Sequence, residues 1–142
     1  MGVRVKVRIV IGGKEIETTA LVNSGFETDT PQLLVPHRFI LSNNIDLNVL
    51  EKPRIQEYDT AGGPIIMHVY PEACTINVVE EDRTSRSVKA DLVISPIEKE
   101  VLMSDALTEE LEIIIMSPRK GLWKFADDPQ NKIRQSHKPK YW

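Results

Sequence analysis

One cysteine, Cys74, occurs in 142 residues. The chain therefore has no internal disulfide and no cysteine-based zinc site. Nothing in it requires an oxidising compartment, so an intracellular, cytoplasmic location is expected. No apolar run reaches the ~18 residues of a membrane-spanning helix. The start, Met1-Gly2-Val3-Arg4-Val5, lacks the apolar stretch of a secretory signal. Histidine is scarce, and His37, His68 and His137 show no metal-ligand spacing. Glycine is also sparse, and its Gly62-Gly63 pair is too short for a phosphate-binding loop and has no lysine after it. Ser24, His68 and Asp105 lack the local elbow of a hydrolase triad. Neither a metal nor an organic cofactor is called for. There are no internal repeats and no low-complexity tracts.

What remains is an ordinary globular composition. Hydrophobic residues make up 41% and charged residues 27%, enough for one domain with its own core. The net charge of −3 is unevenly spread. Residues 119–142 hold seven basic and two acidic side chains, a net +5, which leaves −8 on the rest. So acidic a body argues against a nucleic-acid surface. The basic tail is read as solvated or folded back on the acidic body, in preference to a docking arm. Trp123 and Phe125 are expected to pack onto the body, with a mobile end after Pro129.

The hydrophobic pattern is that of many short strands. Val3, Val5, Val7, Ile9 and Ile11 alternate with Arg4, Lys6 and Arg8, the period of a half-buried strand. Gly12-Gly13 signals a tight hairpin, and Ile16–Val22 resumes as a second strand ending at Asn23-Ser24-Gly25. Residues from Pro31 to Asn43 mix turn residues with a short helix at Pro36–Leu41. Strands follow at Arg54–Tyr58, Ile65–Val79 with an interruption at Pro71-Glu72, Val88–Ile94 and Ile113–Met116. Asp59–Pro64 is a dense turn signal. Ser104-Asp105 opens a short helix running to Glu110 or Leu111. Strands with turns about every ten residues predict an all-β, closed or nearly closed barrel with one or two short helices. The domain is expected over 1–118, with 119–142 as a basic C-terminal extension.

One segment carries chemistry: Ala20-Leu21-Val22-Asn23-Ser24-Gly25, an apolar strand that ends in a polar residue, a small hydroxyl residue and glycine. With aspartate at position 23 this would be the Asp-Ser/Thr-Gly signature of aspartic proteases. The sequence resembles the retropepsin-like aspartic proteases, in particular short single-domain microbial members, over roughly residues 3–116. A glycine hairpin precedes the motif, Gly62-Gly63 sits where these proteins carry a flap, and Val101-Leu102-Met103-Ser104-Asp105-Ala106-Leu107 sits where they carry an apolar strand followed by a helix. Met103 occupies a position that is normally glycine in that second signature.

The resemblance implies a catalytic position at residue 23, supported by Ser24 and Gly25, and a substrate-covering flap of Thr60, Ala61, Gly62 and Gly63. It implies peptide-bond hydrolysis by a water that an aspartyl dyad activates. One motif in a chain of this length supplies one dyad member, so the resemblance also implies a homodimer with the site between subunits and a peptide or protein substrate. Asn23 departs from this pattern. An amide has nearly the shape of a carboxylate but takes up no proton at useful pH, so the chain as written is expected to be inactive. Either Asn23 is an engineered substitution in an otherwise intact site, which the surroundings favour, or the chain is a natural non-catalytic relative that binds extended peptides or holds a complex together.

Overall fold

The computed structural model describes every residue from Met1 to Trp142. Strand β1 (Arg4–Ile11) buries alternate residues, as its sequence period requires, and pairs antiparallel with β2 (Lys14–Val22) from Arg4 opposite Leu21 to Ile11 opposite Lys14. The two-residue turn between them holds Gly12 at φ 55° and Gly13 at φ 79°, a left-handed pair that only glycine adopts without strain. Strand β3 (Gln32–Pro36) leads into helix α1 (His37–Ser42). A single 3-10 turn (Leu47–Val49) follows, and then β4 (Arg54–Thr60) and the long β5 (Gly63–Val78) form a hairpin. Strand β6 (Val88–Ser95), the short β7 (Val101–Met103) and helix α2 (Asp105–Glu110) come next. The chain ends in a small second sheet of β8 (Ile113–Ser117), β9 (Leu122–Phe125) and β10 (Arg134–Gln135).

The main sheet runs β1-β2-β7-β3-β6-β5-β4, and β1 also pairs with β5. That extra pairing closes six strands into a barrel, which leaves β4 as the outer strand of a hairpin that projects from the wall. Closure removes the free backbone groups of a sheet edge. The mostly β architecture expected from the strand pattern is thus the one observed. A core of 28 buried residues fills the barrel, with Ile9, Leu33, Phe39, Ile76, Leu92, Met103 and Trp123 among its largest members. A second, five-residue cluster of Leu34, Met67, Val69, Val93 and Leu102 lies on the other side of the wall, with Leu21, Phe26, Tyr58 and Ile65 packed around it.

Three local expectations differ from the structure. The 31–43 region contains β3 before its helix, and all five β3 residues are buried. The Pro71-Glu72 interruption does not end β5. It becomes a bulge, with a register shift against β6 between Tyr70 and Cys74, and Glu72 takes φ 49°. The end beyond Pro129 is held down. Ser136 donates from its amide to Gly121 O (2.7 Å), His137 to Arg4 O (2.9 Å) and Trp142 to Lys99 O (2.8 Å), and the Trp142 ring meets Phe39 edge-on at 5.0 Å.

The basic segment folds back on acidic partners. Arg134 is 8% exposed and donates to both oxygens of Asp128 and both of Asp82. Its guanidinium also lies 4.9 Å from the Phe125 ring centroid and 5.7 Å from that of Trp123, a cation–π contact in a desolvated setting. Arg83 also stacks on this ring, 4.2 Å from the Phe125 centroid, while pairing with Asp127 and Asp128.

Hydrogen bonds from Arg134 hold the Asp128 carboxyl down at about 2, with the Phe125 amide adding to the effect. A carboxylate with a depressed folded pKa stabilises the native state above its ordinary pKa and loses that contribution as pH falls toward the folded value. Stability measured by urea denaturation is therefore expected to decline as pH drops from about 4 to 2. Arg134→Met is expected to flatten that decline and to cost about 3 kcal/mol at neutral pH, because it strips the buried Asp128 carboxylate of its closest cation and leaves only Arg83 at 3.4 Å and the Phe125 amide.

Candidate active site

Position 23 lies where β2 runs out. The amide of Asn23 donates to Met103 O of β7 at 3.2 Å, which extends the parallel β2–β7 pairing of Ala20–Val22 with Val101–Met103 by one step. Its side-chain Oδ1 accepts from the Gly25 amide at 3.1 Å, and its carbonyl accepts from the Phe26 amide at 3.1 Å. These bonds make a compact turn of the kind that Asn and Asp favour. Asn23 is half-buried, while Ser24 and Gly25 are exposed. The Asn23 side chain itself supplies the hydrogen bond that stiffens the loop.

The rest of the loop is clasped to the start of α2. Asp105 donates its amide to Phe26 O (2.9 Å), and its Oδ1 accepts from the amides of Thr28 (2.9 Å) and Ala106 (2.7 Å). One carboxylate thus takes a free amide in the first turn of the helix, whose N-cap is Ser104, and fastens a loop 77 positions away in sequence. Ser104, which is fully buried, makes a reciprocal pair with Gln32. Its amide donates to Gln32 O, and its Oγ accepts from the Gln32 amide, both at 3.0 Å. The same Oγ also accepts from the Leu107 amide at 3.2 Å. Met103, at the position that departs from the family pattern, is a core residue with no exposure.

The expected flap residues form the tip of the β4–β5 hairpin. Thr60 faces Gly63 in the register, so the turn itself is only Ala61-Gly62. Thr60 Oγ1 donates to Gly63 O at 2.6 Å and accepts from the Gly62 amide at 3.2 Å. Gly63 has φ 110°, which a side chain would strain. Tyr58, near the tip on the inner side of the hairpin, meets the Phe26 ring edge-on at 6.2 Å and donates its hydroxyl to Gln32 Oε1 at 2.8 Å. The hairpin is thereby tied to both the loop that follows Asn23 and to β3. Burial first, and the negative charge of Asp91 second, push the Tyr58 phenol above its ordinary pKa, so it remains a donor.

An open groove of about 740 Å³ borders the loop and is lined by Ser24, Thr28, Asp29, Asp105, Glu109 and Ile114 among others. Cys74 is buried on β5 and donates to Ala90 O at 3.3 Å. Burial, followed by the charge of Asp91, raises its thiol pKa far above the reactive range. Gln32 carried no local signal, because its partners are distant in sequence; Asp105 was recognisable at a helix start, but its bond to the Thr28 amide was not. Comparison with known proteins finds no matching family model and no matching curated relative.

Ser104 Oγ serves two buried amides at once. Ser104→Ala removes the one acceptor of both amides, so the expected cost is about 1–3 kcal/mol in a urea melt. Asp105→Asn, which retains one oxygen acceptor, is expected to cost less in the same experiment.

Proposed function

We propose that this chain has the architecture of a retropepsin-like aspartic endopeptidase. It would act as an isologous homodimer, with residue 23 of each subunit facing its twin in a shared cleft. The observation that carries this reading is the setting of Asn23. It sits at a strand end, fixed by Met103 and Gly25, in a loop that Phe26 and Tyr58 couple to a glycine-tipped hairpin on a closed barrel. Rigid presentation of one side chain beneath a projecting hairpin suits a site that must hold an extended polypeptide while one bond reacts. The exposed edge of such a hairpin suits strand-like binding through backbone hydrogen bonds.

A second copy also has a surface to meet. Strand β8 is the outer strand of its sheet, and its Ile114 and Met116 are each 44% exposed. An edge strand with outward apolar side chains is a template for pairing.

With aspartate at position 23, two carboxyl groups brought together across the two-fold axis would share one proton, because like charges at such a distance do not both ionise. The ionised member would take a proton from water as it attacks the peptide carbonyl. The protonated member would donate to the carbonyl oxygen. The pair would titrate as a unit. Asn23 offers neither function, so the chain as it stands is read as inactive. That same residue favours a second reading, in which the protein binds peptides without cleaving them.

Asn23→Asp separates the two readings. The amide and the carboxylate both accept the Gly25 bond through an oxygen, so the fold should survive the change. The Asn23→Asp protein is expected to cleave unfolded polypeptide at a mildly acidic optimum, at least ~10²-fold faster than the unsubstituted chain. Transition-state-like aspartic protease inhibitors should block it. Sedimentation should find a dimer. A folded, dimeric Asn23→Asp protein with no cleavage between acid and neutral pH would support the binding module instead.

A further inference from the structure

Asp91 lies on β6 with 6% of its surface exposed, and its carboxylate meets no arginine or lysine. A buried carboxylate is costly unless hydrogen bonds replace its lost water, and here each oxygen takes one. Oδ2 accepts from Thr30 Oγ1, and Oδ1 accepts from the Glu72 amide, both at 2.8 Å. Glu72 is the bulge residue of β5 at φ 49°, so the carboxylate holds a strained point at the foot of the long hairpin strand.

On the other side the bonds continue toward the hairpin's second leg. Gln32 Nε2 donates to Thr30 Oγ1 at 3.4 Å, and the Tyr58 hydroxyl donates to Gln32 Oε1 at 2.8 Å. Every donor in the series Tyr58, Gln32, Thr30 points toward the carboxylate. A carboxylate accepts only, so it fixes the direction of the whole series. That orients the Gln32 amide so that its oxygen faces Tyr58. One buried charge thus reaches both legs of the hairpin, β4 through Tyr58 and β5 through Glu72.

We infer that Asp91 is a positioning residue that holds the β4–β5 hairpin down through Thr30, Gln32 and Tyr58 and through the Glu72 amide, and so sets how tightly an extended polypeptide is retained beneath it. The retention of peptide rests on the reading of the site given above. The hold on the hairpin does not.

The test is amide hydrogen exchange on the unsubstituted chain and on Asp91→Asn, Thr30→Val and Tyr58→Phe. Thr30 and Tyr58 lie outside the main core, so these two variants remain informative if Asp91→Asn folds poorly. Exchange across residues 54–69 is expected to rise about tenfold in each variant, the equivalent of one hydrogen bond, while β1, β2 and β6 keep their protection. Two results would overturn the inference: a hairpin that responds to Tyr58→Phe but not to Thr30→Val, or an equal rise over all barrel strands. In the Asn23→Asp background the same substitutions are expected to raise KM for an extended peptide about tenfold and to change kcat less. An unchanged KM would overturn the link to peptide retention. If Asn23→Asp cleaves nothing, the proteolytic reading fails, and the exchange result still decides whether Asp91 positions the hairpin.

Discussion

The architecture depends on a strand of three residues. Val101–Met103 lies between β2 and β3, parallel to the first and antiparallel to the second. Without it the sheet would present two open edges in the middle of an apolar core, each with unpaired amides and carbonyls. With it, the ring of strands closes, and the Met103 carbonyl is left facing the end of β2, where it takes the Asn23 amide. The next residue, Ser104, then pairs reciprocally with Gln32 on β3. Closure of the barrel and positioning of residue 23 are therefore one event. A change that loosens β7 would open the wall and displace the candidate site together.

The segregated charge of the sequence has an intramolecular answer. Arg134 bridges Asp82 and Asp128, Arg83 reaches Asp127 and Asp128, and His137 lies 3.1 Å from Glu80. The Asp82 and Glu80 contacts fold part of the basic segment onto the acidic body, and Arg83 and Arg134 cover Trp123 and Phe125 with guanidinium planes. Exposed ion pairs contribute little on their own. The Arg134–Asp128 pair differs because both side chains are less than a tenth exposed. Its net worth against an apolar replacement is small, but breaking it from one side is costly. It therefore specifies how the segment folds on itself more than it adds stability, and the Arg134 bonds to Asp82 fix where it lies against the body.

How much of this was legible in the sequence follows from where the pattern lay. Strand β1 and the Gly12-Gly13 turn are visible because one face is wet and one is dry, and because two successive left-handed residues call for glycine. The cap at Ser104-Asp105 was visible for the same local reason. Strand β3 was not, because Gln32-Leu33-Leu34-Val35-Pro36 is buried throughout and carries no alternation. The bulge at Glu72 was read as a break, since proline before an acidic residue usually ends a strand. The loop around residue 23 was recognisable as a unit. The clasp of Asp105 on Thr28 and the series from Tyr58 to Asp91 were not, because they join residues brought together only by the closed barrel. Aspartate on a strand has no local signature that separates a buried organiser from a solvated side chain.

Residue 23 separates what the fold needs from what the chemistry would need. The fold uses the backbone amide, the backbone carbonyl and one side-chain oxygen of this residue. Asparagine and aspartate supply all three alike, so nothing in folding or packing selects between them. Hydrolysis would use something only the acid has, a proton that leaves and returns. A chain can therefore keep its barrel, its clasped loop and its anchored hairpin while carrying the amide, with no structural penalty to mark the change. The intact surroundings of Asn23 are thus evidence about the shape the site was built to hold.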